Sequence, residues 1–275
     1  MKFIFIVALS ALLSSVLAAE DNFEKVLESY KNVTSESLLA EREKKQTAVI
    51  LKEKLDNTFL DGAMIAVPGK NYSILKTEVT HEFYEFVMGE NPSEFNGEKN
   101  LPVECVSWYD AVVFCNKLSV MDGLAPVYSV SNKTDVSEWD YVPHKGNSIS
   151  KGVECNKYAN GYRLPTLEEW QYAARGGQKF EYSGSDNLDE VGWYDGNSGD
   201  KTHPVAQKKS NGYGLYDMSG NVWEWCWDSD SNGRYYCGGS WDYRADRCEV
   251  GSKRWNFADY TSSNLGFRIV RNIDE

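Results

Sequence analysis

Histidine is scarce in this 275-residue chain, and its three copies lie far apart. His81, His144 and His203 form no H-x-x-H or H-E-x-x-H pattern, and the six cysteines include no C-x-x-C pair. Structural zinc sites and histidine-based metal chemistry depend on such closely spaced ligands. The sequence therefore favours ordinary roles for the cysteines, as buried thiols or in disulfides, and spacing alone selects no pairing.

Runs of lysine and arginine are also missing, and the formal net charge is −12. Because nucleic acids and anionic membranes attract basic surfaces, this composition argues against a nucleic-acid partner. Hydrophobic residues make up 41% of the chain and aromatic residues 13%, which is ample for a packed core. Disorder of the whole chain is excluded, and the length fits one large domain or two modest ones.

A long apolar run occurs once, at the N-terminus. Lys2, the apolar stretch from Phe3 to Leu17 and the small residue Ala18 match the three regions of a signal peptide. A membrane anchor is the weaker interpretation, because a spanning helix needs about 20 apolar residues and this run is shorter. We expect residues 1–19 to be removed and the mature chain to be exported, to the periplasm or cell surface, without a transmembrane segment.

The next stretch, residues 20–60, differs in composition from everything that follows. Residues 21–59 contain no glycine, proline or tryptophan, are rich in Glu and Lys, and carry apolar residues at loosely helical intervals. This pattern predicts a helical N-terminal segment. It could serve as a stalk or partner-binding helix, or it could simply dock on the main domain, which is the interpretation we favour.

Residues 61–275 have mixed helix-like and strand-like patterning, which predicts a loop-rich domain of mixed α and β structure. The apolar run from Ala63 to Val67 ends at Pro68-Gly69, and Tyr72 to Val79 could return as its hairpin partner. The polar stretch 122–160 predicts surface loop and hairpin. Helix-capping residues and apolar spacing predict helices over 81–88 after Thr80, over 108–121 after Ser107, and over 166–175 with Thr166 and Glu169 in capping-box spacing.

Aromatic residues concentrate towards the C-terminus. Six of the nine tryptophans lie between Trp193 and Trp255, interleaved with glycines, asparagines and acids. Large rings supply buried area, while Gly and Asn permit the positive φ angles of an irregular backbone. We therefore expect a loop-rich unit built around aromatic side chains.

Several short motifs follow one another along the chain. They are Thr77-Glu-Val-Thr80, Glu90-Asn-Pro-Ser93, Val106-Ser-Trp-Tyr-Asp-Ala111, Gly161-Tyr-Arg-Leu-Pro-Thr-Leu-Glu-Glu-Trp170, Ala173-Ala-Arg-Gly-Gly177, Gly212 to Asp228, Gly238-Gly-Ser-Trp241 and Leu265-Gly-Phe-Arg268. In order and spacing they resemble one known family, the formylglycine-generating enzymes (sulfatase-modifying factors). The resemblance implies an α+β, C-type-lectin-like fold with little regular secondary structure, and it covers roughly residues 61–272.

The enzymes of this family oxidise a cysteine of sulfatases to formylglycine, using copper held by two active-site cysteines. The resemblance places Tyr243 at the first of these cysteines and Cys248 at the second. A phenol is a harder ligand than a thiolate and is protonated at neutral pH, so it does not complete a copper(I) site. We therefore expect no catalytic residues. The alternative is a formylglycine-generating oxidase with a degenerate metal site.

The resemblance also implies one structural calcium site. Its ligands would be the side chains of Asp217 and Glu224 and the backbone carbonyls of Gly220 and Val222. Calcium prefers such oxygen ligands. The alternative is a buried Glu224 satisfied by backbone amides. The Glu-Pro-Asn and Gln-Pro-Asp triplets of sugar-binding C-type lectins are absent, so calcium-mediated carbohydrate binding is not expected.

The segment 242–264 lacks apolar periodicity and is rich in the residue types that antibody paratopes use. We expect it to bind an unidentified macromolecule, most simply a protein. In this feature the chain resembles the variable proteins of diversity-generating retroelements, treponemal ones in particular, which implies that the segment is diversified. A fixed loop with an inherited partner is the alternative. The candidate ligand-binding residues are Asp242, Tyr243, Arg244, Asp246, Arg247, Ser252, Trp255, Asn256, Phe257, Tyr260, Ser262, Ser263 and Asn264.

Overall fold

A computed structural model describes residues 35–231 and 233–273 of the chain. The signal peptide predicted at residues 1–19, and the part of the N-terminal segment before Ser35, lie outside the described residues. The chain divides into two compact units, Met1–Glu53 and Lys54–Glu275. In the described ranges, no helix combines the length and the apolar character that crossing a bilayer requires.

The predicted N-terminal helix is present as α1, Ser35–Leu55, and most of it belongs to the first unit. The second unit continues with a π-helical turn, Asp56–Leu60. Leu55 is fully buried in the core of this unit, and the ring of Phe59 stacks on Phe83 at 4.8 Å. The core of the second unit therefore takes up side chains that precede the family motifs.

Short elements joined by long loops make up the second unit. Its helices are α2 His81–Met88, α3 Trp108–Met121, α4 Leu167–Arg175 and α5 Leu188–Val191, with 3-10 turns at Val136–Glu138 and Ala245–Arg247. Its strands are β1 Met64–Ala66, β2 Tyr72–Leu75, β3 Tyr128–Ser129, β4 Glu154–Cys155, β5 Tyr162–Arg163, β6 Trp223–Ser229, β7 Arg234–Cys237, β8 Lys253–Asn256, β9 Leu265–Gly266 and β10 Val270–Asn272.

Side-chain caps fix where the helices begin, as the sequence predicts. The Thr80 hydroxyl accepts from the Phe83 amide at the start of α2. Full capping boxes start the other two predicted helices. They are formed by Ser107 with Asp110 for α3 and by Thr166 with Glu169 for α4. Each cap satisfies amide groups that the first helical turn leaves without partners, typically worth about 1 kcal/mol.

Three sheets organise the unit. The first has the order β1-β2-β10-β5 and is antiparallel, so the predicted hairpin of β1 and β2 is confirmed and the C-terminal strand closes against it. The second is the hairpin β3-β4 in the long polar stretch. The third has the order β8-β7-β6-β9, in which β6 and β9 are parallel and the other pairs antiparallel.

Tryptophan side chains fill the space between these elements. Trp108, Trp170, Trp223 and Trp225 are all fully buried. The indole N–H of Trp108 donates to the Cys226 carbonyl, and that of Trp225 donates to the Val106 carbonyl, each at 3.0 Å. A buried indole keeps its large apolar area at low cost when its one donor is satisfied. These bonds tie the start of α3 to strand β6.

Candidate functional site

The predicted binding segment, residues 242–264, connects the end of β7 to β9. It contains the 3-10 turn Ala245–Arg247 and strand β8, which is an edge strand of the third sheet. Because β8 pairs with β7 along Arg234 to Cys237, its backbone is held on one side only. The segment therefore lies on the surface with a sheet behind it.

Side-chain exposure agrees with a surface role, because none of the thirteen candidate residues is buried. Three aromatic side chains are prominent: Trp255 is 44% exposed, Phe257 65% and Tyr260 40%. Rings at this exposure leave apolar area in contact with water, which a partner could cover. Seven candidates are exposed, namely Asp242, Arg244, Asp246, Arg247, Trp255, Phe257 and Tyr260, and six are half-buried, namely Tyr243, Ser252, Asn256, Ser262, Ser263 and Asn264.

The two ends of the segment are joined by hydrogen bonds. The Asn264 amide donates to both carboxylate oxygens of Asp242, at 3.0 and 2.9 Å, and the Ser240 hydroxyl donates to Asp242 at 2.7 Å. Bonds to a carboxylate are stronger than neutral ones, about 1.5–3 kcal/mol each. Asp242 and Asn264 therefore close the base of the loop as well as lying on its surface.

Several half-buried polar candidates hold neighbouring backbone in place. The Ser262 carbonyl accepts from the Cys105 amide at 3.0 Å, and the Ser263 carbonyl accepts from the Trp241 indole at 3.1 Å. The Asn256 side chain accepts from the Phe257 amide at 2.9 Å, and the Ser252 amide donates to the Glu249 carbonyl at 2.8 Å. These contacts tether the segment at several points, and a tethered loop loses less conformational entropy on binding.

Tyr243 differs from the other aromatic candidates because its ring is half-buried. It packs edge-on against Trp223 with ring centroids 5.4 Å apart, and the Arg254 guanidinium lies 5.3 Å from its centre. An aromatic pair of this kind contributes about 0.5–1.5 kcal/mol beyond the area it buries. Tyr243 therefore supports the core under the segment and exposes only part of its ring.

Cys248 is buried, and the adjoining backbone leaves no space around its sulfur. Gly239 has φ +78°, and a Cβ atom there would clash with Cys248 Sγ and the Arg247 carbonyl. Burial raises the pKa of Cys248 to about 12, so the thiol stays protonated at neutral pH. Nucleophiles and copper ligands need the thiolate. All six cysteines are free thiols in the structure.

One ligand of the expected calcium site, Glu224, belongs to a buried ion pair. Arg268 and Glu224 are both fully buried, and Arg268 donates from Nε and Nη2 to the two Glu224 oxygens at 2.6 Å each. The Trp170 indole donates to Glu224 Oε2 at 2.7 Å. The alternative in which backbone amides satisfy Glu224 is therefore wrong, because a guanidinium and an indole do so. A cation would have to share Glu224 with Arg268.

Other buried carboxylates near this pair do favour a cation by charge. Asp217 Oδ1 and both Glu78 carboxylate oxygens are buried without a hydrogen-bond partner. Burial raises the pKa of Glu78 well above its ordinary value, and the Asp217 carboxylate adds to the shift. No three acidic, histidine or cysteine side chains in residues 35–231 and 233–273 are grouped to hold a metal, so calcium would depend on the Gly220 and Val222 carbonyls. Calcium binding stays a prediction.

Sequence reasoning left out one feature beside the segment. A pocket of about 300 Å³ is lined by Asp259 and Thr261, by Cys105, and by Tyr141, His144 and Asn147 of the long polar stretch. Apart from the isolated His144, nothing in the local pattern of 122–160 indicates that this stretch approaches the segment.

Comparisons with known proteins agree with the geometry. The "Chaperone protein LppX" of Paenibacillus barcinonensis is 40% identical over 228 residues, which are 73% of this chain and 80% of that protein. The solved structure of "Treponema denticola variable protein 1" superposes with a TM-score of 0.69 at 36% identity, covering 76% of this chain and 91% of that one. The formylglycine-generating enzyme of Streptomyces coelicolor is 36% identical over 150 residues, only 42% of this chain and 48% of the enzyme.

The expected fold class is confirmed by this superposition: the chain is α+β and loop-rich, with the C-type-lectin-like architecture of the formylglycine-generating enzymes. The family profile itself matches residues 36–273, well over half of the chain. The relatives bear the names of a chaperone, a variable protein and an enzyme, so membership does not by itself assign an activity. The chain belongs to the family defined by the sulfatase-modifying factor enzyme 1-like domain.

Proposed function

We propose that this protein is a noncatalytic, exported binding protein that captures a macromolecule, most simply a protein, on its segment 242–264. The observation that carries the proposal is the exposure of Trp255, Phe257 and Tyr260 on one segment whose backbone and ends are tethered by hydrogen bonds. Tryptophan, tyrosine and arginine are the residue types that contribute most to binding energy in protein interfaces. The segment supplies all three types, since Arg244 and Arg247 are also exposed.

The relatives support binding without chemistry. A protein named as a chaperone and one named as a variable protein are similar to this chain over about three quarters of its length. The chain itself lacks one of the two thiols of the family's copper site, since Tyr243 takes that place. The other thiol, Cys248, is buried and protonated. These features favour a displayed surface over an oxidase.

Alanine substitution tests the binding surface. The variant Trp255→Ala/Phe257→Ala/Tyr260→Ala should no longer capture macromolecules from the exterior of native cells. Each ring that acts as a hot spot should contribute roughly 2 kcal/mol or more to the free energy of binding. The matched control is Tyr158→Ala/Phe180→Ala, which removes rings that are 84% and 40% exposed elsewhere. Equal capture by the triple variant and the wild type, each with unchanged thermal stability, would contradict the proposal.

The oxidase is tested directly. The wild-type protein, loaded with copper(I) and given a sulfatase-derived cysteine peptide, should form no aldehyde detectable by mass spectrometry. Repeated turnover under these conditions would overturn the noncatalytic assignment, whatever the binding experiments show.

Export and diversification are parts of the same proposal. N-terminal sequencing of the mature protein should begin after Ala18 or Ala19. The surrounding DNA should hold a reverse transcriptase gene and a template repeat of the region encoding 242–264, differing at adenines. If that repeat is absent, the segment is a fixed loop, and only the binding proposal remains.

A further inference from the structure

The pocket beside segment 242–264 has a charge that calls for a specific kind of ligand. Two carboxylates line it, those of Asp110 and Asp259, and no lysine or arginine does. The Glu90 carboxylate lies near its histidine, at 3.9 Å from His144 Nε2. Opposite charges attract most strongly where burial lowers the local dielectric constant. The pocket therefore favours a cation.

Asp110 supplies a fixed negative charge at the pocket wall. It is 1% exposed and accepts from the Ser107 amide and hydroxyl, the Tyr141 hydroxyl and the His144 amide, at 2.7 to 3.1 Å. Burial alone would raise the Asp110 pKa, but the interactions with His144 and Ser107 outweigh it and lower the pKa. Asp110 is therefore ionised at neutral pH, and its oxygens already have donors.

His144 faces two of these carboxylates. Its Nδ1 lies 3.5 Å from Asp110 Oδ2, and its Nε2 lies 3.9 Å from Glu90 Oε1 and 3.2 Å from the Tyr84 hydroxyl. One imidazole carries at most one positive charge, which is fewer than the three carboxylates of Asp110, Glu90 and Asp259, so the surroundings of the pocket still favour a cation.

The remaining lining groups are mainly acceptors. Asn147 Oδ1 is buried and has no hydrogen-bond partner. The Asp259 carboxylate accepts one bond, from the Ser148 hydroxyl at 2.8 Å, which leaves capacity for further donors. The Tyr141 oxygen, whose proton goes to Asp110, has a lone pair to offer. A ligand that fits must therefore bring several N–H donors and a positive charge.

We propose that this pocket, between His144, Asn147 and Asp259, is a subsite for a primary ammonium group such as a lysine side chain of the captured macromolecule. An ammonium carries three donors and no acceptor, which matches the acceptor capacity left on Asn147, Asp259 and Tyr141. The volume of about 300 Å³ admits one extended side chain. The assignment of the amine to a macromolecule depends on the proposed function, but the subsite itself does not.

Adjacent backbone links the subsite to the displayed segment. The Trp108 amide donates to the Ala258 carbonyl and the Cys105 amide to the Ser262 carbonyl, each at 3.0 Å. These bonds hold the chain on both sides of Asp259 against the start of α3. A partner lying on Trp255 and Phe257 would therefore meet a rigid acidic recess at the edge of its contact area.

Small probes test the subsite without a known partner. Nα-acetyl-lysine methylamide, titrated into ¹⁵N-labelled protein, should shift the side-chain amide signal of Asn147 in a saturable manner, with Kd on the order of millimolar. Nα-acetyl-norleucine methylamide, which lacks only the ammonium group, should cause no such shift. n-Butylammonium should bind like the lysine probe if the ammonium alone is recognised, and binding that requires the peptide groups would identify a protein as the source.

Substitutions locate the probe. Asp259→Asn keeps an acceptor for Ser148 and removes the charge. It should therefore lower the affinity for the lysine probe about tenfold, which is the loss expected from one charge-assisted contact. Asn147→Asp adds a negative charge and should raise the affinity for the lysine probe. Glu154→Gln, at an exposed carboxylate of β4 that does not line the pocket, is the control and should leave probe affinity unchanged.

The outcomes separate the two proposals. Equal binding of the norleucine probe, or an unchanged affinity in Asp259→Asn, would overturn the ammonium subsite. Trp255→Ala/Phe257→Ala should leave probe binding intact. If the probe binds but the exposed rings capture nothing, the subsite stands and the proposed macromolecular capture fails.

Discussion

Replacing Arg268 by methionine should be among the most damaging single changes in the protein. Arg268 is fully buried and donates four hydrogen bonds, two to the Glu224 carboxylate and one each to the carbonyls of Leu75 and Tyr216. Methionine fills much of the space but leaves Glu224 with only the Trp170 indole. The buried carboxylates of Glu78 and Asp217 also lose the positive charge that favours their ionisation.

The magnitude follows from these contacts. Breaking a buried ion pair by removing one partner costs about 3–5 kcal/mol, because the other charge stays buried and uncompensated. The two carbonyls without donors add about 1 kcal/mol or more each. Since domains are stable by only about 5–15 kcal/mol, the variant should sit close to the limit of folding. Urea denaturation at pH 7 measures the loss.

A double substitution separates charge from packing. Glu224→Gln combined with Arg268→Met removes both charges, so it should be more stable than Arg268→Met alone, with a coupling energy of about 2 kcal/mol or more. If Arg268→Met does not fold, Arg268→Lys takes its place, since lysine keeps the charge but cannot form the two-pronged contact. A loss below about 1 kcal/mol in Arg268→Met, or simple additivity in the double variant, would refute the reasoning.

The remaining predictions concern the surroundings of this pair and of Cys248. Burial raises the Asp217 pKa from 3.8 to about 6, so the folded protein binds this proton more tightly than the unfolded chain does, and stability falls as pH rises between these values. With EDTA present, Asp217→Asn should therefore raise the unfolding free energy at pH 7 by about 2–3 kcal/mol and change it little at pH 3. Calcium at millimolar concentration should raise the wild-type Tm relative to EDTA, and an unchanged Tm would remove the calcium site. Gly239→Ala should lower the Tm by several degrees, because the strain of a side chain at φ +78° and the clash with Cys248 both destabilise the folded protein. Gly251→Ala places its added carbon in open space and should leave the Tm unchanged.

Local signals in the sequence predicted local structure well. The caps at Thr80, Ser107 and Thr166, and the turn at Pro68-Gly69, mark elements whose start depends on neighbouring residues. The family motifs predicted the fold because their order reflects a whole packing arrangement. Contacts between distant residues were not predictable in this way. Arg268 and Glu224 are 44 positions apart, and no periodicity connects them.

Residue type alone did not separate the displayed side chains from those that hold the loop. Tyr243 and Tyr260 are both tyrosines of the same polar segment, so the sequence predicts the same exposed role for each. In the structure Tyr243 packs on Trp223, whereas Tyr260 is 40% exposed. Asn264 closes the loop base with Asp242, a pairing across the segment that only the folded chain reveals. The long polar stretch was predicted as surface, but Trp139 and Ile149 within it are buried. Each discrepancy arises where tertiary contacts decide the role of the side chain.

The packing of Cys248 bears on both parts of the proposed function, the absence of copper chemistry and the presence of a binding surface. In a thiolate metal site the sulfur must be deprotonated and reachable, and the loop around it cannot change freely. Here Cys248 is packed against Gly239 with its thiol protonated, so it acts as an internal anchor in the middle of the segment. The pair Asp242 and Asn264 anchors both ends. With these three points fixed from within, we expect the exposed residues between them to contribute little to folding, as the proposed binding surface requires.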